Sequence, residues 1–191
     1  MPRSVRARLS LLALLCALMT GAFIINVLSG FALNKYGILP REPASLWKIV
    51  TAPFIHGSVI HLLNNLTGLV IFSALCLVNS IRRYLINCVF IIVLGGLLVW
   101  LFGRAAPHIG ASGVVFGLWS LCIATAWFDR KFVNILIAVF VILFYGGLIY
   151  GVLPIDARVS FESHLFGVLT GFFCAYLNAR GFFRTRRRGS R

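Results

Sequence analysis

The length of its apolar runs limits what this chain can become more than any motif within it. The first run extends from after Arg8 to about Leu33. Others follow at about Ser58–Leu77, Tyr84–Phe102, Gly110–Phe128, Phe132–Val152 and Ser160–Asn178. Each approaches the ~20 residues that a helix needs to cross ~30 Å of hydrocarbon. Arg3, Arg6 and Arg8 ahead of an apolar stretch have the outline of a signal peptide. The run is too long for one and lacks a convincing cleavage site, so a retained first span is expected. The expected fold is all-α: a six-transmembrane-helix bundle over residues 9–179, a basic N-terminus at 1–8 and a basic tail at 180–191. No stretch is left for a soluble domain.

Composition agrees: 60% hydrophobic and 12% charged residues exclude an ordinary soluble domain. A net charge of +14 invites a nucleic-acid reading, but the lysines and arginines form no face and fall between apolar runs. No nucleic-acid partner is expected. Thirteen of the 18 lie in the N-terminus, the Arg82-Arg83 turn, the Arg130-Lys131 turn and the tail. The other connections hold Lys35, Arg41, Lys48, Arg104 and Arg158. The positive-inside rule then places both termini in the cytoplasm. The expected location is a bacterial cell membrane, with the lipid bilayer as a partner. The Arg184–Arg191 tail reads as an anchor for the sixth span. The five cysteines sit inside apolar runs without the spacing of a disulfide framework or a zinc site, so neither a disulfide nor a metal is expected.

One connection, Asn34 to Gly57, is far longer than the rest and contains Pro40, Pro43 and Pro53. Its amphipathic piece Ser45–Val50 carries Trp47 and Lys48, an indole suited to head-group level and an amine that reaches for phosphate. A long loop between the first and second helices, lying in the outer leaflet, is expected. Loops of this length are usually functional.

Polar side chains at membrane depth are costly and suggest a functional site by default. The second run carries His61 and Asn65, four apart and so on one helix face. The fourth opens with Gly110-Ala111-Ser112-Gly113, a hydroxyl between two glycines at a helix start. The sixth carries Glu162-Ser163-His164. These three runs point the same way, and His61, Ser112 and His164 each fall within about a turn of the outer end. At 1.5 Å per residue they lie roughly 3–8 Å below the boundary, with Asn65 one turn deeper. Serine, two histidines and an amide at one level are the inventory of serine-nucleophile acyl transfer. A serine at a helix start also has unpaired amides beside it, aimed where an oxyanion would form. Gly113/Gly117 and Gly167/Gly171 are small-xxx-small pairs, which let helix backbones approach closely. Contact between the fourth and sixth spans would bring Ser112 and His164 together. Asn64 lies on another face, His56 at the loop edge is expected to order the loop, and His108 is read as surface.

At these residues the chain resembles the rhomboid intramembrane serine proteases. The resemblance rests on Trp47-Lys48, FIHGSVIHLLNN at 54–65, GASG at 110–113 and ESHLFGVLTG at 162–171. It implies a six-helix fold with Ser112 as nucleophile and His164 as general base, a dyad without an acid. His61 and Asn65, with the Ser112 amide, would form the oxyanion hole. Gly110, Gly113, Phe116, Gly167 and Gly171 would support the packing. Implied substrates are membrane proteins cut in or near a transmembrane segment, and no cofactor is used. Lys48 stands where the family commonly has arginine, and Phe116 where many members have tyrosine. These departures bear on rate and preference; neither removes a group that the dyad requires. The alternatives are a catalytically inactive relative acting as a membrane binding or chaperone protein, and a small transporter. An inactive relative usually lacks the serine or the histidine, and a transporter is expected to show inverted repeats or paired interrupted helices.

Overall fold

The computed structural model describes residues 3–156 and 159–183. The Arg184–Arg191 tail and Arg158, both used in the charge argument, lie outside the described residues. The architecture is all-helical: α1 (Arg3–Leu28), α2 (Val59–Leu77), α3 (Ile81–Phe90), α4 (Gly96–Phe102), α5 (Ser112–Phe128), α6 (Phe132–Tyr145) and α7 (Phe161–Ala179). A π-helical turn, Ile91–Gly95, joins α3 and α4 into one 22-residue rod. The extended pairing among the described residues is a single bridge between Ile38 and His108.

Among the described residues, four rods are long and apolar enough to cross a membrane: Ser4–Leu28, Val59–Leu77, Ile81–Phe102 and Phe132–Val152. The apolar α5 is shorter, at 17 residues. α7 has 19 residues, but its first turns carry Glu162, Ser163 and His164, which lower its hydropathy.

Element ends follow local chemistry. Ser58, Ser80 and Ser160 cap α2, α3 and α7, each side-chain oxygen accepting a backbone N–H of the first turn. The third run therefore begins at Ile81, ahead of the Tyr84 expected from apolarity. α1 stops at Leu28, short of Leu33, because buried Asn26 gathers the chain that follows. Its amide donates to Asn34 Oδ1 (2.9 Å) and to the His56 carbonyl (3.1 Å), while its Oδ1 accepts from Leu33 N (2.9 Å). Gly30 and Phe31 make the turn in left-handed conformation, both at φ 63°. α6 ends at Tyr145, and Gly146–Val152 tightens into a 3₁₀ helix.

The connection from α1 to α2 folds as three 3₁₀ turns, Ala32–Tyr36, Pro43–Ile49 and Ala52–Phe54. It is fastened to the far end of α4 and to the segment before α5. Arg41 N donates to Trp100 O (2.9 Å), Trp100 Nε1 donates to Glu42 O (3.0 Å), and Gly110 N donates to Ala52 O (2.9 Å). The loop is thereby part of the wall beside the start of α5.

The core centres on α5, apolar on every side, as suits a helix surrounded by protein. α7 crosses it at backbone contact. A Cβ on Gly167 would land on the Gly113 carbonyl oxygen, and one on Gly171 would land on the Gly117 carbonyl oxygen. Nothing larger than glycine fits at either crossing.

Candidate active site

Ser112 is the first residue of α5, entered through Gly110 at φ 104°, a left-handed conformation that favours glycine. Val115 N already donates to Ala111 O, closing the first helical bond. The amides of Ser112 and Gly113 remain among the orphan donors of the first turn. α5 thus begins two residues later than its apolar run, which puts the serine at the helix mouth.

The glycine crossing that brings α7 against α5 sets Gly113 beside Ser163: a Cβ on Gly113 would meet the Ser163 carbonyl oxygen at 3.2 Å. Ser112 and His164 are the chain neighbours of those two contacting residues. His164 is buried, and its ring stacks on Phe116, one turn into α5, with centroids 4.0 Å apart and planes 6° from parallel. Its Nδ1 lies 2.8 Å from the Gly151 carbonyl oxygen. A carbonyl only accepts, so Nδ1 carries the proton and the neutral ring presents Nε2 as a base. Ser112 Oγ makes no hydrogen bond among the described residues, so the Ser112–His164 bond is open in this structure.

The second pair converges from α2. Asn65 is buried, whereas Asn64 is exposed, so the helix turns the first inward and the second outward. A Cβ on Gly110 would collide with His61 Nε2 and approach Asn65 Nδ2 at 3.4 Å. Both nitrogens therefore face the backbone two residues before Ser112. Gly110 has its role here, as a turn that leaves room for these nitrogens. One Asn65 amide hydrogen is spent on the His61 carbonyl (3.0 Å), leaving the other available. The His61 ring makes no hydrogen bond among the described residues.

His108 corrects the sequence reading. It is 2% exposed and no surface residue. Its Nε2 donates to Arg104 O (3.1 Å), so its Nδ1 accepts from Ser160 Oγ (2.6 Å), which in turn accepts from Ser163 Oγ (2.7 Å). Burial pushes its pKa below the usual histidine value, which keeps the ring neutral. The chain of hydroxyls fixes the first turn of α7, where His164 stands. Arg104 adds a second tie, its backbone N donating to Glu162 Oε1 (3.2 Å) and its Nη2 to Val159 O (2.6 Å). No local signal marks the roles of His108, Ser160 or Gly151, since the His108–Ser160 and Gly151–His164 ties span 52 and 13 positions.

His56 is fully buried, packed edge-on against His61 with ring centroids 5.0 Å apart, and its Nδ1 donates to Phe54 O (3.3 Å). Ser45 is also buried, its hydroxyl donating to Leu39 O (2.6 Å), while Trp47 is 55% exposed.

Among known proteins, the family model of the Rhomboid domain matches residues 43–181. An uncharacterized protein of Mycobacterium tuberculosis strain H37Rv is 34% identical over 163 residues, 81% of this chain and 68% of its own length. RHOMBOID-like protein 1 of Arabidopsis thaliana is 32% identical over 160 residues, 78% of this chain and 40% of the plant protein.

Proposed function

The chain belongs to the rhomboid family and is an integral membrane protein, and from that premise we propose that it is an intramembrane serine endopeptidase. The observation that carries the reading is the glycine crossing of α5 and α7, which sets the neighbours of Ser112 and His164 against each other while His61 and Asn65 face the same turn. In the proposed reaction Ser112 Oγ attacks the scissile carbonyl and His164 Nε2 takes its proton. The Ser112 amide, the His61 ring and the free Asn65 amide hydrogen meet the oxyanion. His164 returns the proton to the leaving amine, and water then releases the acyl group. Gly151 O does for His164 what a carboxylate does in a triad: it holds the proton on Nδ1 and so orients Nε2. No charge is supplied with it, which suits a base at membrane depth. The open Ser112–His164 bond is compatible with this chemistry, since such bonds often tighten only with substrate bound.

Six crossings complete the reading, with α5 and α7 added to the four spans named above. Both termini are then cytoplasmic and the 34–57 loop lies outside. Substrates are transmembrane segments of other membrane proteins, reached from the bilayer. Orientation is tested by single cysteines at exposed Ala44 and at Ser190, in a background without native cysteines, with an impermeant thiol reagent on intact cells. Labelling at 190 and not at 44 would invert it. Ser45 is unsuitable because it is buried.

The activity test is cleavage of a panel of transmembrane substrates by purified wild type, Ser112→Ala, His164→Ala and the double variant, with folding checked in detergent. Loss of either group should cost about as much as loss of both. Wild-type rates in both single variants would end the protease reading.

A further inference from the structure

At the end of the bundle opposite Ser112 lies a second polar site that the proposed proteolysis does not use. The end of α2, the start of α3, the end of α5, the turn before α6 and the end of α7 line an open-sided cavity of ≈ 270 Å³. That is near the lower end of ordinary ligand pockets, about 300 Å³. Its lining includes Arg83, Asn87, Asp129, Lys131 and Asn178. These polar groups are only partly spent on one another. Asn178 Nδ2 donates to Asn87 Oδ1 (3.2 Å), but Asn178 Oδ1 is buried without a hydrogen-bond partner. Lys131 Nζ is paired with Asp129 Oδ2 at 2.7 Å. The Arg83 guanidinium has neither hydrogen bond nor ion pair among the described residues. The lining therefore offers one net positive charge, a forked donor set, and one buried acceptor in want of a donor.

The geometry points to a site for a phosphodiester that also carries a hydroxyl, the chemistry of a glycerol-type phospholipid head group. A phosphodiester brings one negative charge and oxygens for the Arg83 fork. Its hydroxyl meets Asn178 Oδ1, which an oxygen-only anion would leave unsatisfied. The place fits as well, because the basic turns Arg82-Arg83 and Arg130-Lys131 share this end of the bundle. Basic pockets between membrane helices hold anionic head groups there. The inference rests on the helices crossing a bilayer, not on proteolysis.

The test measures lipid retention by native mass spectrometry of the full chain in phosphatidylcholine nanodiscs doped with phosphatidylglycerol. Wild type should retain one phosphatidylglycerol above the phosphatidylcholine background. It should prefer it to phosphatidylmethanol, which has the same charge and no head-group hydroxyl. Arg83→Gln should weaken retention about tenfold, whereas Arg130→Gln, at an exposed position outside the cavity, removes the same charge and should change it less than twofold. Asn178→Leu should abolish the preference for phosphatidylglycerol over phosphatidylmethanol. Addition of glycerophosphoglycerol, the diester without acyl chains, distinguishes the sources: displacement of the lipid marks a soluble ester as sufficient, and no displacement marks the lipid itself. Equal losses in Arg83→Gln and Arg130→Gln would reduce the effect to diffuse attraction and overturn the site. Equal retention of the two lipids by wild type would overturn it without any variant.

Discussion

α5 and α6 are neighbouring apolar helices of opposite fate. α5 buries ten of its 17 residues inside the protein; α6 buries three of 14, Asn134, Ala138 and Val141. Phe132, Leu143 and Phe144 of α6 are 70% exposed or more. Apolarity cannot sort these two helices, because lipid is as apolar as either. Side-chain size does the sorting. Gly113, Gly117, Ser120 and Ala124 place small residues along one face of α5, and Ser120 Oγ donates across it to Val168 O of α7 (2.7 Å). α6 offers mostly Phe, Ile, Leu and Val, which keep backbones apart. Any catalytic geometry that must be held to a fraction of an ångström belongs on the first kind of helix, where the backbone itself is the contact surface.

The largest predicted effect breaks that contact. Gly167→Ala and Gly171→Ala each drive a methyl into a carbonyl oxygen of α5, which no rotamer can relieve. The expected cost exceeds the 1–3 kcal/mol usual for an overpacked core, with activity lost alongside. Gly146→Ala, at the end of α6 with nothing within 4 Å of the added carbon, is the counterpart and should be near neutral. Detergent-titrated unfolding of the three variants decides it. Comparable stability in all three would mean that α5 and α7 do not meet through glycine.

The next effect concerns chemistry rather than folding. Asn65→Ala removes a donor aimed at the turn before Ser112 and should lower kcat by about 10²–10³ with substrate binding largely kept. Labelling by a serine-directed fluorophosphonate should persist. Asn64→Ala, on the exposed face of the same helix, should do little. The reverse ordering would put α2 one residue out of register.

These two contrasts also mark how far sequence could reach. Run lengths located every long helix, and the i, i+4 glycines and the His61/Asn65 spacing are visible because they obey the helix repeat. Serine before an apolar run is likewise a local signal. The rest depends on partners distant in sequence. Nothing near His108 announces Ser160, and nothing near His164 announces Gly151. The π turn at Ile91–Gly95 has no signature of its own. α1 and α6 end earlier than their apolar runs because Asn26 and the 3₁₀ turn at Gly146–Val152 redirect the backbone, while apolarity continues past both points.

A third effect separates the fastened loop from the helices. Burial, then the neighbouring His61, pushes the His56 pKa down to about 4, against a smaller upward pull from the Phe54 carbonyl. Its Nε2 is buried without a partner, so protonation would put an unanswered proton there. A depressed histidine pKa means that the unfolded chain binds the proton first. Stability from neutral His56 is intact above pH 6.5 and falls as pH drops toward 4, by about 2 kcal/mol at pH 5. Thermal unfolding at pH 7.5 and pH 5 should show the fall in wild type and a shallower one in His56→Gln. An unchanged slope would assign the acid sensitivity to another group.

The smallest effect lies where α5 and the chain after α6 meet, over the His164 ring. Phe116 covers one face of that ring, and Gly151 supplies the carbonyl at its edge. Removing the stack while keeping the apolar volume, as in Phe116→Leu, forfeits an aromatic contact of about 0.5–1.5 kcal/mol, a two- to twelvefold loss. Because the ring is still tied through Nδ1, the loss should appear in kcat and leave KM nearly unchanged. Phe116→Tyr tests the same place from the other side. A Cβ on Gly151 would come within 2.6 Å of Phe116 Cζ, so a hydroxyl on that carbon is directed at the turn that holds His164. The tyrosine can improve orientation only if the Gly146–Val152 turn gives way. On this well-packed side of the site the expected outcome is a rate at or below that of wild type. A rate several times higher would show that the turn after α6 is as yielding as α6 itself, and that the rigid half of the comparison ends at α5.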